Sequence, residues 1–379
     1  MLVHICCSVD SHYFLSRLRE AYPDEKLIGF FYNPNIHPKS EHDLRLADVR
    51  RSCEMLGIEL LEGEYDTGFW FEGVRGLEEE PEKGERCVKC FDIRLMRTGA
   101  ESKRLAERRF TTTLLSSPIK EQERLFIEGE RIAAHYGLEF VKINVRTNGG
   151  VQKQNELAKK DNLYRQNYCG CKFALTKQRE KQGKSMLEMM SDISGRALLG
   201  SIEERQEVFA HRDALEGVQI PYILAQRRYQ VYRNLCCLVS DERGEAIESY
   251  ALVNSMSKKR TKIEQILWVK PKLALAENLL ELYLRAPICI GYSKRDDSVF
   301  VPLAFVNLVL GRVDSTIKDL RRNPPSLEEE IRLRELICGH QSLNSMVIVA
   351  HEIHEPINLE ILSLSQEENI FRVIEIFEN

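Results

Sequence analysis

Residues 2–7, LVHICC, form a continuous apolar run of strand length, and the two cysteines fall where that strand gives way to a loop. Residues 11–22 carry helical spacing, and 27–32 (LIGFFY) form a second unbroken apolar run. The loop NPNIHP at 33–38 stops that strand abruptly, because proline and asparagine punctuate extended chain. Leu44, Val49, Cys53 and Leu56 recur at helical intervals across 41–56, and 58–61 supplies a third short strand. A charged helix over 92–107 leads into RFTTTLL at 109–115, whose β-branched residues favour a strand. Residues 122–136 are helical again, and 139–143 are strand-like. Strands alternating with helices predict βαβ units and a mostly parallel sheet. Such sheets bind ligands beyond the carboxyl ends of their strands, where Cys6–Cys7 and residues 116–118 both fall.

From about residue 180 the pattern changes. Residues 185–199, 202–214, 272–284 and 327–337 have helical spacing. Residues 222–240 and 245–254 read as two strand segments joined by a polar turn at Asp241, Glu242, Arg243 and Gly244, and 288–310 is strand-like in parts. The expectation is an α/β domain over 1–180, a linker at 181–184 (KQGK) and a separate α+β domain over 181–379. No internal repeat or low-complexity segment is visible.

At 379 residues the chain is long enough for two cores, and 43% apolar with 30% charged residues is ordinary for a globular protein. No apolar run reaches the ~18 residues of a membrane span. The first 14 residues hold no Lys or Arg, so they do not read as a signal peptide and a cytoplasmic location is expected. Residues 1–180 balance 29 basic against 29 acidic side chains, and residues 181–379 supply the whole net charge of −4. Within the neutral half, an acidic stretch at 54–85 precedes a basic one at 86–109. The basic stretch suits phosphate binding, or is simply a solvated helix surface.

Eleven cysteines in a chain expected in a reducing compartment do not read as a disulfide framework. Six of them come in three pairs: Cys6 and Cys7, Cys87-x-x-Cys90, and Cys169-Gly-Cys171. CxxC lets two thiolates face one metal from a single turn, and a central glycine permits the same of CxC. Six thiolates exceed one tetrahedral zinc and suit an iron–sulfur cluster with a second iron, or one cluster with spare redox thiols. A structural zinc on four of them remains open. Cys53, Cys236, Cys237, Cys289 and Cys338 lie in apolar periodic segments and are expected in cores. Asp10 either caps the first helix or offers a hard oxygen ligand to iron.

Seven further features stand out over residues 1–178: LVHICCSVD (2–10), YNPNIHP (32–38), Arg45, YDTGFW (65–70), EPEKGERCVKCFDIRL (80–95), FTTTLLSSPIK (110–120) and LYRQNYCGCKF (163–173). In these segments the chain resembles the QueH family of epoxyqueuosine reductases. Ser8 and Val9 stand where Ala-Pro often follows the cysteine pair, which alters loop stiffness and not ligand count. The resemblance implies reduction of epoxyqueuosine to queuosine at the tRNA wobble position without cobalamin. It also implies a [4Fe–4S] cluster and an adjacent iron held by the six cysteines and Asp10, with electrons from an external donor. The family in turn resembles tRNA-thiolating enzymes of the PP-loop (HUP) type, so a Rossmann-like parallel sheet is expected. Their SGGxDS nucleotide loop aligns with residues 6–11, where both glycines are absent; a phosphate cradle, and with it ATP, is not expected.

Removing an epoxide oxygen as water takes two electrons and two protons. An iron with an open position would act as Lewis acid, and a cluster would relay electrons singly. Tyr164, Tyr168 and His37 are the proton-donor candidates. Asn33, Asn35, Arg165 and Gln166 are candidates for reading the base and its diol, with Trp70 or Phe69 stacking on it. Arg94, Arg97 and Lys120 are the phosphate candidates, and Arg227, Arg228, Arg233, Tyr229 and Tyr232 a second tRNA-gripping group. Two other classes stay open: an ATP-dependent tRNA-thiolating cluster enzyme, and a zinc-stabilised RNA-binding module without catalysis.

Overall fold

A computed structural model describes residues 1–118, 120–256, 258–339 and 342–376. The chain divides into two compact units. The first comprises Met1–Met189, Val208–Leu224 and the end of the chain from Val373; the second comprises Met190–Glu207 and Ala225–Arg372.

The first unit is built on five parallel strands: β1 (Leu2–Ile5), β2 (Ile28–Phe31), β3 (Glu59–Glu62), β4 (Arg109–Thr112) and β5 (Glu139–Phe140), in the order β3-β2-β1-β4-β5. The central runs LVHI and IGFF are buried along their whole length, as strands covered on both faces must be. The crossovers carry α1 (Ser8–Ala21), α2 (Lys39–Met55), α3 (Thr67–Gly73), α4 (Glu85–Arg104) and α5 (Gln122–Tyr136). Phe14, Leu15 and Leu18 of α1 pack with Phe30, Phe31, Leu95 and Phe110 in one core, each no more than 2% exposed. The strand order turns around at β1, between β2 and β4. The loops leaving the carboxyl ends of β1 and β4 therefore diverge and leave a crevice between them. Two further helices complete the unit's first stretch, α6 (Gly150–Lys160) and α7 (Lys172–Gln182).

The boundary expected at residue 180 is displaced. Residues 181–184 are no linker: α7 runs to Gln182, and the left-handed Gly183 merely ends it. The unit continues to Met189 and takes back Val208–Leu224, which holds the second half of α8 (Ile202–Gly217). The reason is a buried ion pair. Arg212 donates from Nη1 to Asp48 Oδ1 at 2.7 Å and to the Asn162 carbonyl at 2.7 Å, and both side chains of the ion pair are 1% exposed. Phe209 meets Tyr164 edge-on, with ring centroids 5.0 Å apart.

The second unit is α+β, as expected. It holds a mixed five-stranded sheet of β10 (Ile266–Val269), β11 (Ile290–Ser293), β12 (Val299–Pro302), β13 (Met346–Val349) and β8 (Ser249–Ala251), in that order, and most of a four-stranded one of β7 (Ala246–Ile247), β6 (Tyr222–Ser240), β14 (Ile357–Glu375) and β9 (Lys258–Ile263). Strand β6 covers Tyr222–Ser240, the same span the sequence predicts, and pairs antiparallel with β7 (Ala246–Ile247) across the polar turn. Among the elements, one expectation fails. Residues 185–199 hold only a short 3-10 turn at Leu187–Met189, because Asp192 accepts from the Ser194 amide and hydroxyl and Gly195 follows at φ +77, a local turn that outcompetes the helix. Within 288–310 the strand-like parts are Ile290–Ser293 and Val299–Pro302, as expected, and Leu303–Leu310 is a helix whose sequence LAFVNLVL holds Asn307 as its one polar residue. Cys53 is buried as expected, but Cys236 is exposed, because alternate residues of β6 point away from the packed face. No helix among the described residues is long and apolar enough to cross a membrane.

Candidate functional site

Each cysteine pair sits at the start of a helix. β1 ends at Ile5, which puts Cys6 in the turn and makes Cys7 the N-cap of α1; their Sγ atoms are 3.7 Å apart. Cys87 and Cys90 occupy the first turns of α4, and Cys171 is the N-cap of α7. Unsatisfied N–H groups give helix N-termini a positive potential, which favours thiolate over thiol. All three starts open on one cavity of about 280 Å³, lined by all six cysteines together with Asp10. One ligand atom each from Cys6, Cys7 and Asp10 lie within 4.8 Å of one another. Both oxygens of Asp10 are engaged by protein: Oδ2 faces Cys6 Sγ at 3.6 Å, and Oδ1 accepts from Gln154 Nε2 at 2.8 Å.

The loop carrying the third pair is pinned by a guanidinium at the cavity wall. Arg45 of α2, 3% exposed, donates from Nη1 to the Cys169 carbonyl at 3.1 Å and from Nη2 to the Tyr168 carbonyl at 3.0 Å. Its Nε is held by Glu41 at 2.7 Å, and Glu41 also accepts from the Tyr164 hydroxyl at 2.9 Å. Between the cysteines, Gly170 has φ +115 and gives its carbonyl to the His37 amide at 2.8 Å; a Cβ there would meet Ile36 Cγ1 at 2.9 Å. Only glycine serves at such a position.

The electrostatics suit thiolates bound to a metal among fixed cations, and disfavour free thiolates. Burial raises the thiols of Cys87 and Cys171, the latter to about 12, so without a metal they hold their protons. The hydrogen bond between Cys6 and Cys7 lowers Cys6 and raises Cys7. Burial pushes the Asp10 carboxyl up, against hydrogen bonds from Cys7, Cys6 and Gln154. Lys120, Arg45, Arg86 and Arg94 also line the cavity. For Lys120 burial opposes the charge, but Cys169, Cys87, Glu82 and Cys90 outweigh it and the ammonium is held above its ordinary range. Six soft sulfur donors and one hard oxygen, ringed by fixed cations, fit an iron–sulfur group with an oxygen-ligated iron beside it. Four of the thiols would satisfy a zinc and leave the rest unexplained.

Of the other residues singled out in the sequence, Asn35, Trp70, Gln166 and Tyr168 line the cavity. Gln166 Nε2 lies 3.0 Å from Cys7 Sγ, while Gln166 Oε1, Asn35 Oδ1 and Trp70 Nε1 are buried without a partner. Apart from Arg94 and Lys120, the rest do not line it. Asn33 spends its amide on the Ile5 carbonyl at 2.8 Å and on Arg94 Nη2 at 2.6 Å, so it positions Arg94 and reads nothing. Tyr164 is committed to Glu41, and exposed Arg165 to Asn155. His37 lies between Trp70 and Phe71, at 5.2 and 4.9 Å between ring centroids; burial, then Lys172, lowers it to about 4, so the ring is neutral at pH 7. Even Tyr168 gives its hydroxyl to the His37 carbonyl. Phe69 is 58% exposed, and Arg97 stacks on Tyr32 at 5.8 Å. In the far half, Arg233 is buried against the Leu199 and Tyr232 carbonyls, so only Arg227 and Arg228 of that arginine group are exposed.

Gln154 and Arg146 escaped the sequence reading. Arg146 clasps the turn after β4 by donating to the Leu115 and Lys120 carbonyls at 2.8 and 2.7 Å; Ile119, inside that turn, lies outside the described residues. A polar residue at a buried position of an otherwise amphipathic helix is the one signal Gln154 gave.

The family model of epoxyqueuosine reductase QueH matches residues 1–177. An epoxyqueuosine reductase QueH of Helicobacter pylori is 40% identical over 382 residues, covering 99% of this chain and 100% of its own. Shorter relatives of that name match the first half: one from Acinetobacter baylyi at 35% identity, over 50% of this chain and 88% of its own, and one from Thermotoga maritima at 35%, over 48% and 94%. With the match extending through both units in the first of these, the chain belongs to the epoxyqueuosine reductase QueH family.

Proposed function

We propose that this chain reduces epoxyqueuosine to queuosine at the wobble position of tRNA, with Cys6, Cys7, Cys87, Cys90, Cys169, Cys171 and Asp10 holding a [4Fe–4S] cluster and an adjacent iron. The observation that carries the reading is the convergence of all seven side chains on one cavity at the sheet's switch point. The strand order and the cysteines at the first strand-to-helix corner support a PP-loop-like sheet in which that corner has exchanged a phosphate cradle for ligands. Without the glycines of such a cradle, ATP-dependent thiolation has no support here.

Bound in this cavity, the group would supply single electrons and a Lewis-acid position for the epoxide oxygen. The chain's own side chains do the rest. Asn35 Oδ1 and Gln166 Oε1 present acceptors suited to the diol or amine of the modified base, and the Trp70 indole presents a buried N–H and an apolar wall. Lys120, Arg86 and Arg94 offset the negative charge of the thiolates and favour electron uptake. Neither Tyr164 nor His37 is a proton donor in this arrangement, since neither lines the cavity, and Tyr168 offers it no free O–H.

The test is anaerobic turnover of epoxyqueuosine-bearing tRNA with a chemical reductant, scored by nucleoside mass spectrometry. Queuosine should appear only with protein that carries iron and sulfide. Purified protein holding zinc alone, or iron-loaded protein that leaves the epoxide intact, would refute the proposal.

A further inference from the structure

Behind Asp10 stands a side chain that does not line the cavity itself. Gln154 of α6, 4% exposed, donates from Nε2 to Asp10 Oδ1 at 2.8 Å, and its Oε1 accepts from Ser116 Oγ at 2.5 Å. Reversing the amide would set an acceptor against the carboxylate, so chemistry fixes which end faces Asp10. Ser116 is 0% exposed and closes the 3-10 turn Thr113–Leu115 through its amide to the Thr113 carbonyl at 3.0 Å. The Thr113 hydroxyl accepts from the Cys6 amide at 3.2 Å and lies 3.4 Å from Cys6 Sγ. One turn after β4 thus steers Cys6 directly and Asp10 through Gln154. The register of α6 against α1 is set one turn away, where Val9, Ala158 and Leu163 pack together.

We propose that Gln154 is a positioning residue that makes Asp10 a ligand through one oxygen only. Oδ1 is committed to the amide, which leaves Oδ2, the oxygen facing Cys6 Sγ, for the metal. A carboxylate free to bind through both oxygens would fill a coordination position that substrate needs. Fixing it also lowers the ordering cost of binding iron there. The inference rests on Asp10 being a ligand of the iron beside the cluster.

The experiment uses the full chain, reconstituted anaerobically with iron and sulfide, and measures the iron held in excess of sulfide against a graded chelator. Wild type should hold excess iron and Asp10→Ala should lose it. Gln154→Leu should keep its sulfide and bind the excess iron about 10–100-fold more weakly, with Ser116→Ala shifted less in the same direction. Wild-type retention in Gln154→Leu, with loss in Asp10→Ala, overturns the role of Gln154 and leaves the ligand reading standing. Equal excess iron in wild type and Asp10→Ala overturns both. Should Gln154→Leu fail to hold a cluster at all, Ser116→Ala decides, and unchanged affinity in that variant overturns the proposal.

Discussion

Replacing Arg212 by methionine should destabilise the first unit severely, although the residue lies well beyond the last of the six cavity cysteines along the chain. The guanidinium and Asp48 are each 1% exposed and 2.7 Å apart. Removing it leaves the Asp48 carboxylate buried with the Ser8 hydroxyl and the Tyr164 amide as its remaining donors. Breaking a buried pair from one side costs about 3–5 kcal/mol, because the orphaned charge keeps its desolvation penalty. The Asn162 carbonyl, which accepts from the same Nη1 at 2.7 Å, adds on the order of 1 kcal/mol. In a unit of this size each kcal/mol moves Tm by roughly 2–4 °C, so a fall of about 8–24 °C is expected. Calorimetry of wild type and Arg212→Met measures it. The double variant Arg212→Met/Asp48→Asn should recover about half of the loss, since the uncompensated charge is gone. A Tm within about 2 °C of wild type, or a double variant no better than the single, refutes the reasoning.

Truncation after residue 180 should act the same way, lowering Tm and metal retention together, because it removes Arg212 and Phe209; unchanged iron content would contradict this. Gly170→Ala should cost about 1–3 kcal/mol of backbone strain and displace Cys169 and Cys171, so iron per chain, measured by metal analysis, should fall while the apoprotein remains folded by circular dichroism. Arg45→Lys should keep the charge but lose the paired bonds to the Tyr168 and Cys169 carbonyls, and cluster absorbance should bleach faster in air than in wild type. His37 is held near 4 in the fold against an ordinary value near 6.5, so the folded state binds fewer protons between those values. Its contribution is therefore complete above about pH 6.5 and is lost as pH falls towards 4, by up to about 3 kcal/mol. Urea titrations should find His37→Phe progressively better relative to wild type over that window, and a constant difference would refute it.

The parallel sheet was legible because its strands are unbroken apolar runs, and the gathering of six cysteines in one cavity because they come in close pairs along the chain. The supporting shell was not. Arg45 reaches residues 123 and 124 positions away, and Gln154 one 144 positions away, and no periodicity announces such contacts. Asn33 has the chemistry of a substrate reader and Tyr164 that of a proton donor, yet their polar ends are spent on Ile5, Arg94 and Glu41; sequence shows what a side chain offers and not who has taken it. Residues 185–199 looked helical because apolar spacing outweighed one Asp and one Gly that form a turn.

The three helix starts have a consequence for how the protein matures. Pairs at 6–7, 87–90 and 169–171 mean that a chain emerging from the ribosome offers two thiols, then four, and completes the set only at Cys171, with Arg212 later still. A metal captured early would meet a partial set better suited to a single tetrahedral ion than to a cluster. Delivery of iron and sulfur is best timed after synthesis, and once seated the group would tie together three segments about 80 residues apart, a cross-link that holds the ends of two long loops.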